Sequence, residues 1–173
     1  MSAPLEIERK YLIRMPDPAH LAEAERWDIV QTYLVPVGEE GSRRVRRAAT
    51  GDTVRFTHTA KTRLTPVTCV EEERTLTLPE YEACLAEARP DSQPVVKTRY
   101  RIPYAGHLLE LDVYPFWQDT AVLEVELTGE EEQISLPAWI KVLREVTEEP
   151  LYKNTSIAKW LKKYPGVPLP TET

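Results

Sequence analysis

Apolar and polar residues alternate with a period of two along most of this chain, which is typical of strands with one buried face. In the first segment Leu5, Ile7, Tyr11 and Ile13 lie on one face, and Glu6, Glu8 and Lys10 lie on the other. The same alternation recurs at residues 31–37, 43–49, 53–61, 69–78, 95–103, 108–114 and 122–127. Eight strands with short connections predict an antiparallel sheet that closes, or nearly closes, into a barrel.

Four other stretches are predicted to be helical: residues 17–25, 79–88, 138–144 and 155–164. The first two open with proline near the helix start, where its missing N–H costs nothing. The last places Ile157, Trp160 and Leu161 on one face, as expected for a helix that packs on a core. The fold class is therefore α+β, dominated by strands. We expect one domain over residues 1–163, followed by a proline-rich, poorly ordered tail over 164–173.

Charged residues fill the second face of strand after strand. The acids are Glu6, Glu8, Glu71, Glu73, Glu110, Asp112, Glu124 and Glu126, and the bases are Lys10, Arg44, Arg46, Lys61, Lys97, Arg99 and Arg101. In one barrel that fits this pattern, the apolar faces point inward and the charges meet solvent. In the other, the charges line the interior, and the near balance of signs makes this tolerable because unpaired buried charge is costly. The alternation alone favours neither.

A charged interior of this kind would suit a polyphosphate bound together with a metal ion. Arginine and lysine side chains match phosphate oxygens. Clustered carboxylates match Mg²⁺ or Mn²⁺, which prefer oxygen ligands. Phosphoryl transfer depends mainly on such positioning and charge stabilisation. Nucleic acid is a poor fit, because the interleaved acidic strands would repel its backbone.

The composition agrees with a globular protein and limits its partners. Of its 173 residues, 42% are hydrophobic and 29% charged, and the net charge is −6, which argues against general nucleic-acid affinity. No apolar run reaches the roughly 20 residues that span a bilayer, and the first residues lack a signal core. We expect a cytoplasmic protein without a membrane partner. A homodimer is compatible with the sequence.

The segment Glu6-Ile7-Glu8-Arg9-Lys10 resembles the ExExK signature of the CYTH superfamily, also called triphosphate tunnel metalloenzymes. Further matches follow in the family's order: Arg44-Val45-Arg46, Thr59-Ala60-Lys61, Glu71 and Glu73, Val96-Lys97-Thr98-Arg99-Tyr100, Leu109-Glu110-Leu111-Asp112-Val113, Leu123-Glu124-Val125-Glu126-Leu127, Glu145-Val146-Thr147 and Tyr152-Lys153-Asn154. The resemblance spans about residues 4–162. It implies an eight-stranded antiparallel barrel that encloses a charged tunnel, with a C-terminal plug helix.

The resemblance also implies roles for individual residues. The triphosphate would be bound by Lys10, Arg44, Arg46, Lys61, Lys97 and Arg99. The metal ion would be held by Glu6, Glu8, Glu124 and Glu126, and catalysis would involve Glu6, Glu8, Lys10 and Lys153. An acidic wall would comprise Glu71, Glu73, Glu110 and Asp112. Because Arg74 stands where the family usually has an apolar residue, Glu72 could face the tunnel in place of Glu71 and Glu73.

The compact bacterial members that this chain resembles imply metal-dependent hydrolysis of inorganic triphosphate to pyrophosphate and phosphate. Three alternatives remain at this point: a class IV-type adenylate cyclase, a thiamine or nucleoside triphosphatase, and a polyphosphate-binding module without turnover. The sequence lacks a clear His-Phe pair before ExExK, a feature of the cyclase branch. The full set of acids disfavours a pure anion binder, which would gain little from them.

Overall fold

The computed structural model describes residues 5–38 and 41–172, and these residues form nine strands and two α-helices. The strands are β1 (Leu5–Arg14), β2 (Glu25–Leu34), β3 (Ser42–Thr50), β4 (Thr53–Arg63), β5 (Thr68–Leu76), β6 (Val95–Tyr104), β7 (His107–Val113), β8 (Thr120–Glu126) and β9 (Val142–Glu145). The helices are α1 (Leu78–Leu85) and α2 (Asn154–Lys163). Two short 3₁₀ helices cover Pro18–Leu21 and Pro150–Tyr152.

Eight of the strands close into an antiparallel barrel. They pair in the order β5-β4-β3-β2-β6-β7-β8-β1, and β1 returns to β5 through the pairs Leu5↔Val70 and Ile7↔Thr68. The ninth strand, β9, lies outside this closed set and pairs with β1. The predicted eight-stranded barrel is therefore confirmed, with one strand added.

Tight hairpins connect neighbouring strands. Between β6 and β7 the turn residues Ala105 and Gly106 both have positive φ, at 50° and 80°. Two such residues give a two-residue turn whose twist matches that of the flanking strands. This hairpin fixes the pair Arg99↔Asp112.

The apolar faces of several strands point outward and are covered by other segments. On β7 and β8, Leu109, Leu111 and Leu123 are fully buried and belong to a cluster that also contains Ile140, from the connection between β8 and β9. On the opposite side, Tyr81 of α1 belongs to a second cluster of buried residues. Burial of these faces outside the barrel leaves the inner faces for the charged residues.

Helix α2 closes one end of the barrel. Ile157 and Ala158 of this helix are fully buried in one cluster with Leu12 and Val122, which face each other across β1 and β8. Because Leu12 follows Lys10 by two residues, it continues the inner face of β1. The predicted plug helix is thus confirmed.

Three local predictions are wrong. Residues 17–25 form only a 3₁₀ turn at Pro18–Leu21 before β2 begins at Glu25. Residues 138–144 are not helical, and their end enters β9. The tail is also held in place: Leu169 is 2% exposed, and its carbonyl accepts a hydrogen bond from the Trp117 indole at 2.8 Å. The domain boundary at residue 163 stays a prediction, and residues 1–4 and 173 lie outside the described part.

Candidate active site

Charged side chains of both signs line one cavity of about 510 Å³ in the barrel. Its cationic residues are Lys10, Arg43, Arg44, Arg46, Lys61, Arg63, Arg89, Arg99, Lys153 and Lys159. Its acidic residues are Glu6, Glu8, Glu71, Glu73, Glu110, Glu124 and Glu126. Of the two barrels that the alternation allowed, the one with a charged interior is the correct one.

Strand β1 brings the three charged residues of the ExExK segment to the cavity, because residues i, i+2 and i+4 share a face. Glu8 lies opposite Glu126 on β8, and Lys10 lies opposite Glu124. The Lys10 ammonium is 3.4 Å from the Glu124 carboxylate and donates to the Tyr152 backbone carbonyl at 3.1 Å. A row of acids therefore runs beside one anchored ammonium.

Arg44 and Arg46 on β3 form a cationic wall. The Arg46 guanidinium donates twice to the side-chain oxygen of Gln31, at 3.0 and 2.7 Å. Burial, with repulsion from Arg44 and Arg99, lowers the Arg46 pKa to about 10. Arg44 is 8% exposed, and its Nε has no hydrogen-bond partner in the described part of the chain. A buried guanidinium with a free N–H in a cavity suits an anionic ligand.

Lys61 of β4 lies between two carboxylates. Its ammonium is 2.7 Å from Glu6 and 3.5 Å from Glu71. Burial raises the pKa of Glu71 to about 7, and the hydrogen bond with Glu6 adds to this rise. Burial opposes ionisation of Glu6 as well, but the contacts with Glu71 and Lys61 outweigh it and lower the Glu6 pKa to about 2. The Glu6–Glu71 pair therefore holds one proton below about pH 7.

Glu8 is a buried carboxylate whose negative charge lacks a direct partner among the described residues. Burial raises its pKa to about 7, and the nearby charge of Glu124 contributes to the rise. Among residues 5–38 and 41–172, no ion pair or hydrogen bond involves the Glu8 side chain. A carboxylate in this state gains most from a cation that arrives with a ligand.

The carboxylates fit a hard divalent cation. Glu8 and Glu126 face each other across two strands, and Glu6 and Glu71 have carboxylate oxygens within 4.8 Å of each other and of the Cys69 sulfur. Oxygen donors on adjacent strands, with one carboxylate uncompensated, are the ligands that Mg²⁺ and Mn²⁺ prefer. Cys69 is a softer donor, and burial raises its pKa to about 11, so it remains a thiol.

We predict that metal binding at this site depends on pH. Below pH 7 Glu8 carries a proton, because its pKa is about 7, and a metal ion must displace that proton. The apparent Mn²⁺ affinity should therefore fall by about tenfold or more for each pH unit below 7. Calorimetry in buffers of different ionisation enthalpy measures this directly as protons released on Mn²⁺ binding. Equal affinities well below and well above pH 7 would contradict the prediction.

A buried ionic cluster supports the wall of the cavity. Asp112 is fully buried and accepts from Lys97 at 2.8 Å and from Arg99 at 2.7 and 2.9 Å. Arg99 also bonds to Glu110 and Glu124, both at 3.1 Å. Arg99 lines the cavity, whereas Lys97 and Asp112 do not. The structure therefore does not bring Lys97 to the predicted triphosphate site, nor Asp112 to the surface of the acidic wall.

The remaining predicted residues reach the cavity. Glu71 and Glu73 line it, whereas Glu72 is exposed on the outer face, which settles the register of β5. Lys153 lies at the cavity just before α2, near Arg63 and Lys10, and burial, with repulsion from these cations, lowers its pKa. These placements leave the chemical roles of the residues as predictions.

Sequence reasoning missed several residues of the site. Gln31 is fully buried and anchors Arg46, and Tyr33, Arg63 and Cys69 line the cavity. Gln31 and Tyr33 had a usable signal, since both lie on the face of β2 opposite Val30 and Leu34. Arg63 and Cys69 lie near strand ends, where the pattern stops and gives no such signal.

No family model matches the sequence, and no curated protein matches it. Solved structures do. The putative adenylate cyclase bh2851 from Bacillus halodurans is 17% identical over 100% of this chain and 96% of its own, with a TM-score of 0.53. The PH1819 protein from Pyrococcus horikoshii OT3 is 17% identical over 73% of this chain and 80% of its own, with a TM-score of 0.55. At this identity these likenesses show the fold.

The closed barrel and its charged interior are the features that the resemblance to the CYTH superfamily of tunnel barrels implies. Among solved structures, the chain is also similar to the inorganic triphosphatase NE1496. The two are 28% identical over 89% of this chain and 94% of that one, with a TM-score of 0.54.

Proposed function

We propose that this protein hydrolyses inorganic triphosphate to pyrophosphate and phosphate, with Mg²⁺ or Mn²⁺ as cofactor. One observation carries the proposal: a cationic wall and a row of carboxylates line the same cavity. A highly charged anion needs the first, and the metal ion that neutralises it further needs the second. The similarity to the NE1496 triphosphatase supports the same conclusion.

The substrate would bind along β1, β3 and β4. Arg44 has an N–H without a partner in the described residues, and Lys10 has one N–H left after bonding to Glu124 and Tyr152. Lys61 can donate to the substrate, because its partners Glu6 and Glu71 can rotate toward the metal ion. Arg99 is already bonded to three carboxylates, so its main contribution is charge. We propose that Lys97 acts on the substrate only by supporting Arg99.

The metal ion would be held by Glu6, Glu8, Glu124 and Glu126. When bound, it would supply a Lewis acid that offsets phosphate charge and lowers the pKa of water. Glu8 lies beside Lys10. Glu8 can therefore accept a proton from a water molecule near the phosphate that Lys10 orients. Lys153, at the start of the plug helix, would bind the terminal phosphate group.

An assay with three triphosphates tests this function. Tripolyphosphate, ATP and thiamine triphosphate are each supplied with Mg²⁺ or Mn²⁺, and phosphate release and cyclic AMP are measured. We expect tripolyphosphate to turn over fastest and a chelator to abolish turnover. Cyclic AMP as the main product from ATP would replace the proposal with a cyclase. Tight binding of tripolyphosphate without turnover would replace it with a binding module.

Location and assembly stay predictions from the sequence. No helix in the described residues has the length and apolar character needed to cross a membrane. We propose a cytoplasmic enzyme that acts on a small-molecule triphosphate and does not bind nucleic acid. A homodimer is compatible with this function, and size-exclusion chromatography with light scattering measures it.

A further inference from the structure

The wall of the barrel has a seam at Lys10. One edge of β1 pairs with β5 at Leu5, Glu6 and Ile7 and with β9 from Tyr11 onward, so it changes partner at Lys10. There the Lys10 N–H donates to the Thr147 hydroxyl at 3.0 Å. The Lys10 carbonyl accepts from the Val146 N–H at 2.8 Å. The segment after β9 therefore replaces a neighbouring strand at this one residue.

The same segment also holds the Lys10 side chain. Its ammonium donates to the Tyr152 backbone carbonyl at 3.1 Å. Tyr152 is 2% exposed, and its hydroxyl accepts from Arg144 at 2.8 Å and donates to the Pro170 carbonyl at 2.7 Å. The C-terminal tail thus fixes Tyr152, and Tyr152 fixes the ammonium.

The Lys10 side chain has free space beside it, so the contacts that hold it affect where its ammonium lies. A second cavity of about 20 Å³ lies at the seam, lined in part by Lys10, Thr147 and Tyr152, and this volume is enough for about one water molecule. Lys10 lines both this cavity and the large one. A lysine side chain has four rotatable bonds and is mobile unless it is held. The contacts at the seam therefore determine which of the two cavities the Lys10 ammonium points into.

We propose that Thr147 and Tyr152 are positioning residues that direct the Lys10 ammonium at the triphosphate. We call Val146, Thr147 and Tyr152 the Lys10 clamp. The inference rests on the proposed function, because it assigns Lys10 to the substrate. It gives a role to the Glu145-Val146-Thr147 segment, of which neither Val146 nor Thr147 lines the large cavity. Positioning of this kind matters because displacement of a reacting group by about 1 Å can cost about a hundredfold in rate.

The hydroxyl of Thr147 can be removed without loss of shape. Thr147→Val should lower kcat/KM for tripolyphosphate by about tenfold to a hundredfold, and Thr147→Ser, which keeps the hydroxyl, should recover most of it. The matched control is Thr120→Val on β8, since Thr120 is buried and its hydroxyl bonds only to the neighbouring Asp119 among the described residues. The control should keep kcat/KM within about twofold, because its site is remote from the cavity. Equal losses in both variants would indicate a general packing effect and overturn the proposal.

A double-mutant comparison tests whether Thr147 acts through Lys10. In a Lys10→Met background, Thr147→Val should change the affinity for tripolyphosphate by less than about twofold, whereas it weakens binding in the wild-type background. Undiminished loss in the Lys10→Met background would overturn the proposal. If the wild-type protein turns over and Thr147→Val matches it, the clamp fails and the proposed function stands.

A measurement without substrate separates the two proposals completely. The NMR signal of the Lys10 ammonium, assigned by its absence in Lys10→Met, reports the hydrogen bonds of that group. We expect it to be visible in the wild type and in Thr147→Ser, and broadened in Thr147→Val and Tyr152→Phe. An unchanged signal in both of the latter variants would overturn the clamp. Absence of any triphosphate binding or turnover by the wild type would instead overturn the proposed function.

Discussion

Glu8→Gln is expected to remove at least about 99% of tripolyphosphate hydrolysis, a loss of a hundredfold or more. Glu8 lies in the row of carboxylates between Glu6 and Lys10 and faces Glu126 on β8. The amide keeps the shape of the side chain but removes the negative charge that a divalent ion would neutralise. The same change also removes the group placed to accept a proton beside Lys10. Metal affinity and turnover should therefore fall together.

We expect Glu8→Gln to fold and to be at least as stable as the wild type. Burial and the charge of Glu124 raise the Glu8 pKa to about 7, above its value in an unfolded chain. Between about pH 4.5 and 7 the folded state therefore binds more protons than the unfolded state, so stability falls as the pH rises through this range, and the full cost of ionising Glu8 is present above pH 7. A neutral glutamine avoids that cost. We expect the midpoint of thermal unfolding at about pH 8 to equal or exceed that of the wild type.

Steady-state assays and thermal melts of two variants check this prediction. The matched control is Glu72→Gln, the same substitution on the exposed outer face of β5. The control should retain wild-type activity, because Glu72 does not line the cavity. Near wild-type turnover in Glu8→Gln, or unfolding of that variant, would contradict the assignment of Glu8 to the metal site.

The barrel could be predicted because its strands keep a strict period of two. Strands β7 and β8 bury an apolar outer face, so on β7 the alternation of Leu109, Leu111 and Val113 with charged residues predicts the strand directly. The direction of those faces could not be derived from the alternation. Leucines covered from outside and leucines packed inside give the same pattern, and only the resemblance favoured the charged interior.

The failed predictions have a common physical cause. Residues 138–144 contain a helix-compatible spacing, but Val142 and Arg144 instead pair with β1, where an open edge offers hydrogen bonds. Tertiary pairing outweighs a local propensity of a few tenths of a kcal/mol per residue. The order of the tail has a similar cause. Its prolines suggest disorder, yet Leu169 fills an apolar pocket beside Trp117.

The alternation in the sequence predicts which face of a strand a residue lies on. It does not predict whether the residue lines the cavity or is buried beneath its wall. Lys97 and Arg99 share a face of β6, and both were predicted to bind triphosphate. The structure buries Lys97 completely against Asp112 and leaves Arg99 at the cavity. The Tyr114 ring lies under the Lys97 ammonium, with its centre 5.8 Å away, and the Tyr114 hydroxyl donates to Asn154 at the start of α2. No pattern within β6 carries that information.

The second large effect concerns stability, and we expect Asp112→Asn to lower the free energy of unfolding by about 3–5 kcal/mol. Asp112 is fully buried and is bonded to both Lys97 and Arg99. Removal of its charge leaves two buried cations with too few partners, and breaking a buried pair on one side costs more than the intact pair contributes. Urea unfolding at a fixed pH measures the loss.

The pH dependence of this loss identifies its origin. Burial already lowers the Lys97 pKa to about 7, and without Asp112 the pKa should fall further, so Lys97 can shed its proton as the pH rises. The folded state then binds fewer protons than the unfolded state, and stability rises with pH. The deficit of Asp112→Asn should therefore be larger below pH 7 than well above it. Arg99 stays charged over the whole pH range, so part of the stability loss in Asp112→Asn remains at high pH.

Asp28→Asn supplies the matched control. Asp28 forms an exposed pair with Arg26 at 3.3 Å, with both side chains about 60% exposed, and such a pair contributes less than about 1 kcal/mol. A loss of similar size in Asp112→Asn would mean that the Lys97–Asp112–Arg99 cluster is not needed to hold the barrel. Arg99 would then reach the cavity without support from Asp112. The opposite result would show that the charged cavity depends on Lys97 and Asp112, which do not line it.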